Sequence, residues 1–113
     1  MKQRQVGSIF IVAPKGYLTG GKETDELEQA IKQLSEADSK NLVINLTEAQ
    51  HLNSTALGVL ISAHSNFVRR GGQMKLCSVD KRIENIFVIT KLSLVFDVYA
   101  SEELAIASFA EKV

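Results

Sequence analysis

The chain of 113 residues predicts an α/β domain, and three observations carry that prediction. Short β-branched runs alternate with stretches of helical periodicity. The run Leu42-Val43-Ile44 is apolar without interruption, as a central strand covered on both faces should be. Pro14, Gly20-Gly21 and Gly71-Gly72 mark joints between segments.

Taken in order, Ser8 to Pro14 is a β-branched run stopped by the only proline, and reads as a strand. "GYLTGG" is a loop. Leu27, Ala30, Ile31 and Leu34 recur at helical spacing, with Thr24 as the expected N-cap and Asp25 and Glu26 in the first turn. Asn41 to Leu46 is the central strand. The next helix follows Asn53-Ser54-Thr55. Its expected inner face is Leu57, Leu60, Ile61, His64, Phe67 and Val68, widened by Ala56, Val59 and Ala63. Arg69 and Arg70 complement its C-terminus, and Gly71-Gly72 supply a left-handed exit. "QMKLCSV" is a further strand. "DKRIENIFVITKL" is a short helix with Ile83, Ile86, Phe87 and Thr90 inward. "VFDVY" is an edge strand, and Ser101 caps a last helix running through "SEELAIASFAEK". Strand and helix thus alternate four times, as crossovers over a shared sheet require. Beyond the carboxyl ends of the strands, the functional edge of open α/β sheets, should lie Pro14 to Gly21, Thr47 to Thr55, and Ser78 to Arg82.

Thirteen basic residues balance thirteen acidic ones. That argues against a general nucleic-acid binder, which shows a basic excess or stripe. Cys77 is the only cysteine, so no internal disulfide forms, and its place in an apolar run reads as a small core residue. No apolar stretch approaches the ~20 residues of a membrane span, and the beginning of the chain lacks a signal-peptide cleavage pattern. The expectation is one cytoplasmic domain over residues 1–113, with no direct membrane insertion.

The segment His51 to Gly72 carries the most informative residues. Ser, Thr and Asn are the preferred helix caps, but one cap needs one such residue, and here three stand in a row. A nucleophilic serine would need more: the G-x-S-x-G elbow is absent, and His51 and His64 are the only possible histidine bases. His51, His64 and Cys77 match no metal-ligand spacing, and no phosphate-binding glycine loop is present. Neither a metal nor a cofactor is expected. A phosphoacceptor remains: a phosphate at a helix N-terminus meets free amides and a favourable dipole, yet blocks a partner bound to the same edge.

The stretch "INLTEAQHLNSTALGVL", Ile44 to Leu60, resembles the central motif of the STAS domains, and among them the bacterial anti-sigma-factor antagonists. "RRGGQMKLCSV" and "LSLVFDVYASEELAIASF" are similar to the ending of that family. The resemblance runs through nearly the whole chain. It implies a STAS-type α/β domain with a small mixed β-sheet of four to five strands and about four α-helices. It further implies a non-enzymatic partner switch in transcription regulation. Unphosphorylated, such an antagonist binds an anti-sigma factor that is also a serine kinase. The kinase phosphorylates the serine matching Ser54, the pair separates, and a PP2C-type phosphatase restores binding. Tyr17, Thr19, Asn53, Thr55 and Leu57 would belong to the contact surface. Family aspartates are replaced here by Asn45, Asn53 and Thr19, and the first motif glycine by Ala56. A site short of acids eases accumulation of phosphate. It also suits a docking subunit that is never phosphorylated, in a stressosome-like scaffold or a lipid ABC transporter.

Overall fold

A computed structural model describes residues 1–110. Three apolar strands, β2 (Ile9–Ala13), β4 (Asn41–Asn45) and β6 (Gln73–Cys77), lie side by side and parallel. Antiparallel β1 (Lys2–Val6) closes one edge against β2, and parallel β7 (Asp97–Tyr99) closes the other against β6. The sheet order is β1-β2-β4-β6-β7. A separate two-stranded parallel sheet pairs β3 (Gly16–Leu18) with β5 (Ala49–Leu52).

Alternation along the strands feeds two unequal cores. Val12, Leu42, Ile44, Met74 and Leu76 pack with residues of α1 (Lys22–Glu36), α2 (Ser54–Arg69) and α3 (Lys81–Ile89) into the larger one. Their neighbours along the strands, Ile11, Val43 and Cys77, join Ile9 and Ala105 of α4 (Glu102–Ser108) in a small one on the other face. The mixed five-stranded sheet with four helices is the architecture the sequence implies.

Several local expectations are corrected. α1 begins at Lys22 with Gly21 as N-cap, so Thr24 lies inside the helix, and its hydroxyl accepts a bond from the Gly20 amide at 2.9 Å. The buried face of α2 is Ala56, Leu60, Ala63 and Phe67. Ile61 and Val68, expected inward, are 43% and 52% exposed. On α3, Ile83 and Phe87 are buried as expected, but Ile86 is half-buried and Thr90 exposed. The run expected as strand "VFDVY" is shorter: a 3₁₀ turn covers Leu92–Leu94, Phe96 is buried, and pairing starts at Asp97. Ser101 caps α4 through a bond from Leu104 N–H at 3.2 Å. The far end of that expected helix, Glu111-Lys112, lies outside the described residues.

The exit from α2 explains its two glycines differently. Gly71 takes the left-handed φ of +84°, which costs a glycine little. Gly72 does not have a positive φ; it is small because the chain passes close by. A Cβ there would stand 2.0 Å from the Lys40 carbonyl oxygen, the same oxygen that accepts the Gln73 amide at 2.8 Å. Gly72→Ala is therefore expected to cost about 2–3 kcal/mol by forcing this junction apart. Urea denaturation checks it, and a loss below about 0.5 kcal/mol would contradict the contact.

Candidate functional site

The small β3–β5 sheet sets the N-terminus of α2 at the edge of the molecule. Tyr17 stands opposite His51 and Leu18 opposite Leu52. One residue further on, the Asn53 amide donates to the Leu18 carbonyl at 3.1 Å. Two of the loops expected at the carboxyl edge are thereby stitched together.

Asn53 is the N-cap. Its backbone is extended, its side-chain oxygen accepts from the Ala56 amide at 3.1 Å, and its carbonyl accepts from Leu57 at 2.9 Å. The cap is complete without either neighbouring hydroxyl. Ser54, the first helical residue, is exposed, and among the described residues no hydrogen bond engages its hydroxyl. A helix leaves its first amides without intrahelical acceptors, and among the described residues those of Ser54 and Thr55 make no hydrogen bond. No acidic residue occupies the first turn.

The remaining expected residues gather around this point to different degrees. Thr55 is exposed but lies across Gly20, with its side-chain atoms 3.5–3.6 Å from where a Cβ on that glycine would stand. Gly20 has a φ of +93°, so the loop from Thr19 bends over Thr55 in a conformation that other residues rarely adopt. Tyr17 is 60% exposed, its ring centroid 6.5 Å from that of His51. Thr19 is exposed. Leu57 is half-buried and packs on the main core. His51, weighed from the sequence as a base and as a metal ligand, joins Tyr17 in an exposed aromatic pair.

Asn45 is engaged elsewhere. Its side-chain oxygen accepts from the Thr47 amide at 2.9 Å and from the Thr47 hydroxyl at 2.6 Å. Its amide donates to Glu102 Oε1 at 3.0 Å, and Arg4 binds the other oxygen of the same carboxylate. Asn45 thus belongs to the junction of β4, α4 and β1. A carboxylate at this position would face Glu102. Sequence reading did not find this cluster, since Arg4 and Glu102 lie 98 positions apart.

Burial pushes the Glu102 carboxyl up, but the Asn45 amide and the Arg4 guanidinium outweigh it, and the net is below the ordinary 4.5. Because the folded value is depressed, the stabilisation is present above pH 4.5 and is lost as pH falls through the folded value. Asn45→Asp replaces the donor with a like charge. It is expected to cost about 1–2 kcal/mol at neutral pH and to recover part of that loss in acid, where the pair takes up a proton. Urea titrations at neutral and acid pH check this, and an equal cost at both would contradict a repulsion between the two carboxylates.

No helix among the described residues is long and apolar enough to cross a membrane, and no group of His, Cys, Asp and Glu residues is placed to hold a metal ion. A model of the STAS domain family matches residues 1–105. A stretch of 63 residues, 56% of this chain, is 32% identical to the anti-sigma-B factor antagonist of Bacillus subtilis (strain 168), and covers 58% of that protein's length. A crystal structure from Thermotoga maritima, described as an anti-sigma factor antagonist, superposes with a TM-score of 0.88 at 17% identity over 95% of this chain and 92% of that one. The Bacillus cell fate determinant SpoIIAA in its phosphorylated form gives 0.76 at 14% identity over 96% and 97%. At such identities the superpositions speak to the fold, and the fold agrees with the family match. The chain belongs to the STAS domain family.

Proposed function

We propose that this chain is an anti-sigma-factor antagonist that works by partner switching, with Ser54 as its phosphorylated residue. The observation that carries the reading is the division of labour at the head of α2. Asn53 alone supplies the cap, which leaves the Ser54 hydroxyl exposed and uncommitted. The 32% identity to an anti-sigma-B factor antagonist supports the partner class.

In its unphosphorylated form the protein binds an anti-sigma factor with serine-kinase activity. The binding edge consists of Tyr17, Thr19, Asn53, Thr55 and Leu57, around Ser54. The Ser54 oxygen attacks the γ-phosphorus of ATP held by the kinase; the bond to the β-phosphate oxygen breaks, ADP leaves, and a kinase base takes the serine proton. The new group carries about −1.5 to −2 charges at neutral pH. The free amides of the first turn and the helix dipole tolerate it, so the domain stays folded. The partner's surface, matched to a neutral edge, does not tolerate it, and the complex separates. A PP2C-type phosphatase then hydrolyses the phosphoester and resets the switch. The chain itself performs no catalysis in this cycle.

Thr55 is the competing acceptor. Its contact with Gly20 favours Ser54, because a kinase must surround the accepting oxygen, and the glycine loop obstructs that approach. Mass spectrometry of the tryptic peptide Asn41–Arg69 from protein purified out of its native cell is the test. Phosphate is expected on Ser54, with an occupancy that changes with growth conditions, and none on Thr55. Phosphate on Thr55 alone would reassign the acceptor. An unmodified peptide under every condition would overturn the switch and favour a docking subunit of a larger assembly.

A further inference from the structure

The two faces of the sheet are covered very differently. Three helices shield one face. Among the described residues the other is covered only by α4, seven residues or roughly 10 Å of helix, far below the length at which a helix persists unaided. Its fully buried apolar contact with the sheet is small, since Ala105 is the residue it contributes to the cluster of Ile9, Ile11, Val43 and Cys77. Ile106 and Phe109 pack at the margin, and Leu104 is exposed.

What holds α4 down is largely polar, and unusual. At its start, Glu102 is tied to Asn45 and Arg4. In its last turn, the Lys75 ammonium donates to the Ser108 hydroxyl at 2.7 Å, and Ser108 in turn donates to the Ala105 carbonyl at 2.6 Å. Lys75 stands in the middle of β6 and is 5% exposed. Its Nζ lies 4.6 Å from the Phe109 ring centroid and 5.4 Å from that of Tyr99. One hydroxyl and two π-faces compensate a buried ammonium poorly compared with water. An apolar residue here would favour a permanent seal. A lysine lowers the cost of lifting the helix, because its flexible stem lets the ammonium regain hydration at once.

We infer that α4 is a detachable cover, which opens while the remaining layers stay folded, and that Lys75 sets how readily it opens. Opening would extend the existing groove beside β1, a cavity of about 260 Å³ with Ile11 and Ala13 among its lining residues, across the face that α4 vacates. The larger core, which contains none of the α4 contacts, keeps the domain together meanwhile. Such sub-global opening is drawn from the elements with least apolar burial.

Cys77 reports on this directly. It is fully buried against Ala105 in the small core, and burial pushes its thiol above the ordinary value, so the closed form is unreactive. Labelling by a chromogenic disulfide reagent should proceed through opening of α4, at least tenfold faster than global unfolding allows, and with a weaker dependence on urea than unfolding followed by circular dichroism. Ser108→Ala should speed labelling several-fold, and Lys75→Met should slow it tenfold or more. Labelling with the urea dependence of global unfolding would overturn the cover. An unchanged or faster rate in Lys75→Met, or failure of that variant to fold, would overturn the role given to Lys75, while the wild-type urea dependence still decides the first claim.

Discussion

The hydrogen bond from the Asn53 amide to the Leu18 carbonyl is the constraint on which the edge of this molecule depends. It continues the short β3–β5 ladder by one residue and so fixes where α2 begins. With the helix start fixed there, Asn53 becomes the cap, Ser54 the first helical residue, and Thr55 the neighbour of Gly20. Were the ladder one residue longer or shorter, a different side chain would cap the helix and a different hydroxyl would stand free. A cap contributes only about 1 kcal/mol to stability, yet here it also decides which hydroxyl stands free.

A separation of duties runs through the structure. Stability resides in the larger core, where Ala56, Leu60, Ala63 and Phe67 of α2 lock onto the central strands. The edge residues contribute little to that core, apart from half-buried Leu57, and are correspondingly open to alteration. The opposite face has its own polar junction, with Glu102 between Asn45 and Arg4. Asn45 therefore stabilises the join between β4 and α4, and its amide is the neutral donor that a carboxylate neighbour needs.

The alternation of elements was legible because the core strands are strongly apolar and the helices carry their own periodicity. β1 was not legible, for "KQRQV" is exposed throughout and owes its strand form to pairing with β2. β3 and β5 were hidden for a related reason. They are three and four residues long, and only their mutual pairing makes them strands. The inner face of α2 was read partly one residue out of place. Positions 56, 60, 63, 67 and positions 57, 61, 64, 68 have the same spacing, and Leu57, Ile61 and Val68 of the second set are larger than Ala56 and Ala63 of the first. The helix buries the first set, the one with two alanines. Thr24 looked like a cap by residue type, but the Gly20-Gly21 turn lets the helix start earlier. At the site itself, the Asn-Ser-Thr cluster was visible, while the assignment of one residue to capping and the next to solvent required the register of the small sheet.

On the proposed switch, a phosphate on Ser54 changes the edge and leaves the fold alone. The direct measurement is a pair of ¹H–¹⁵N correlation spectra, one of the unmodified protein and one with phosphoserine installed at position 54 during synthesis. Shifts are expected to be confined to Tyr17 to Gly21 and Asn53 to Leu57, with the amides of the central strands unmoved. Shifts spread through β4 and β6, or loss of dispersion, would contradict it, because the phosphate would then be disrupting the cap that organises this edge.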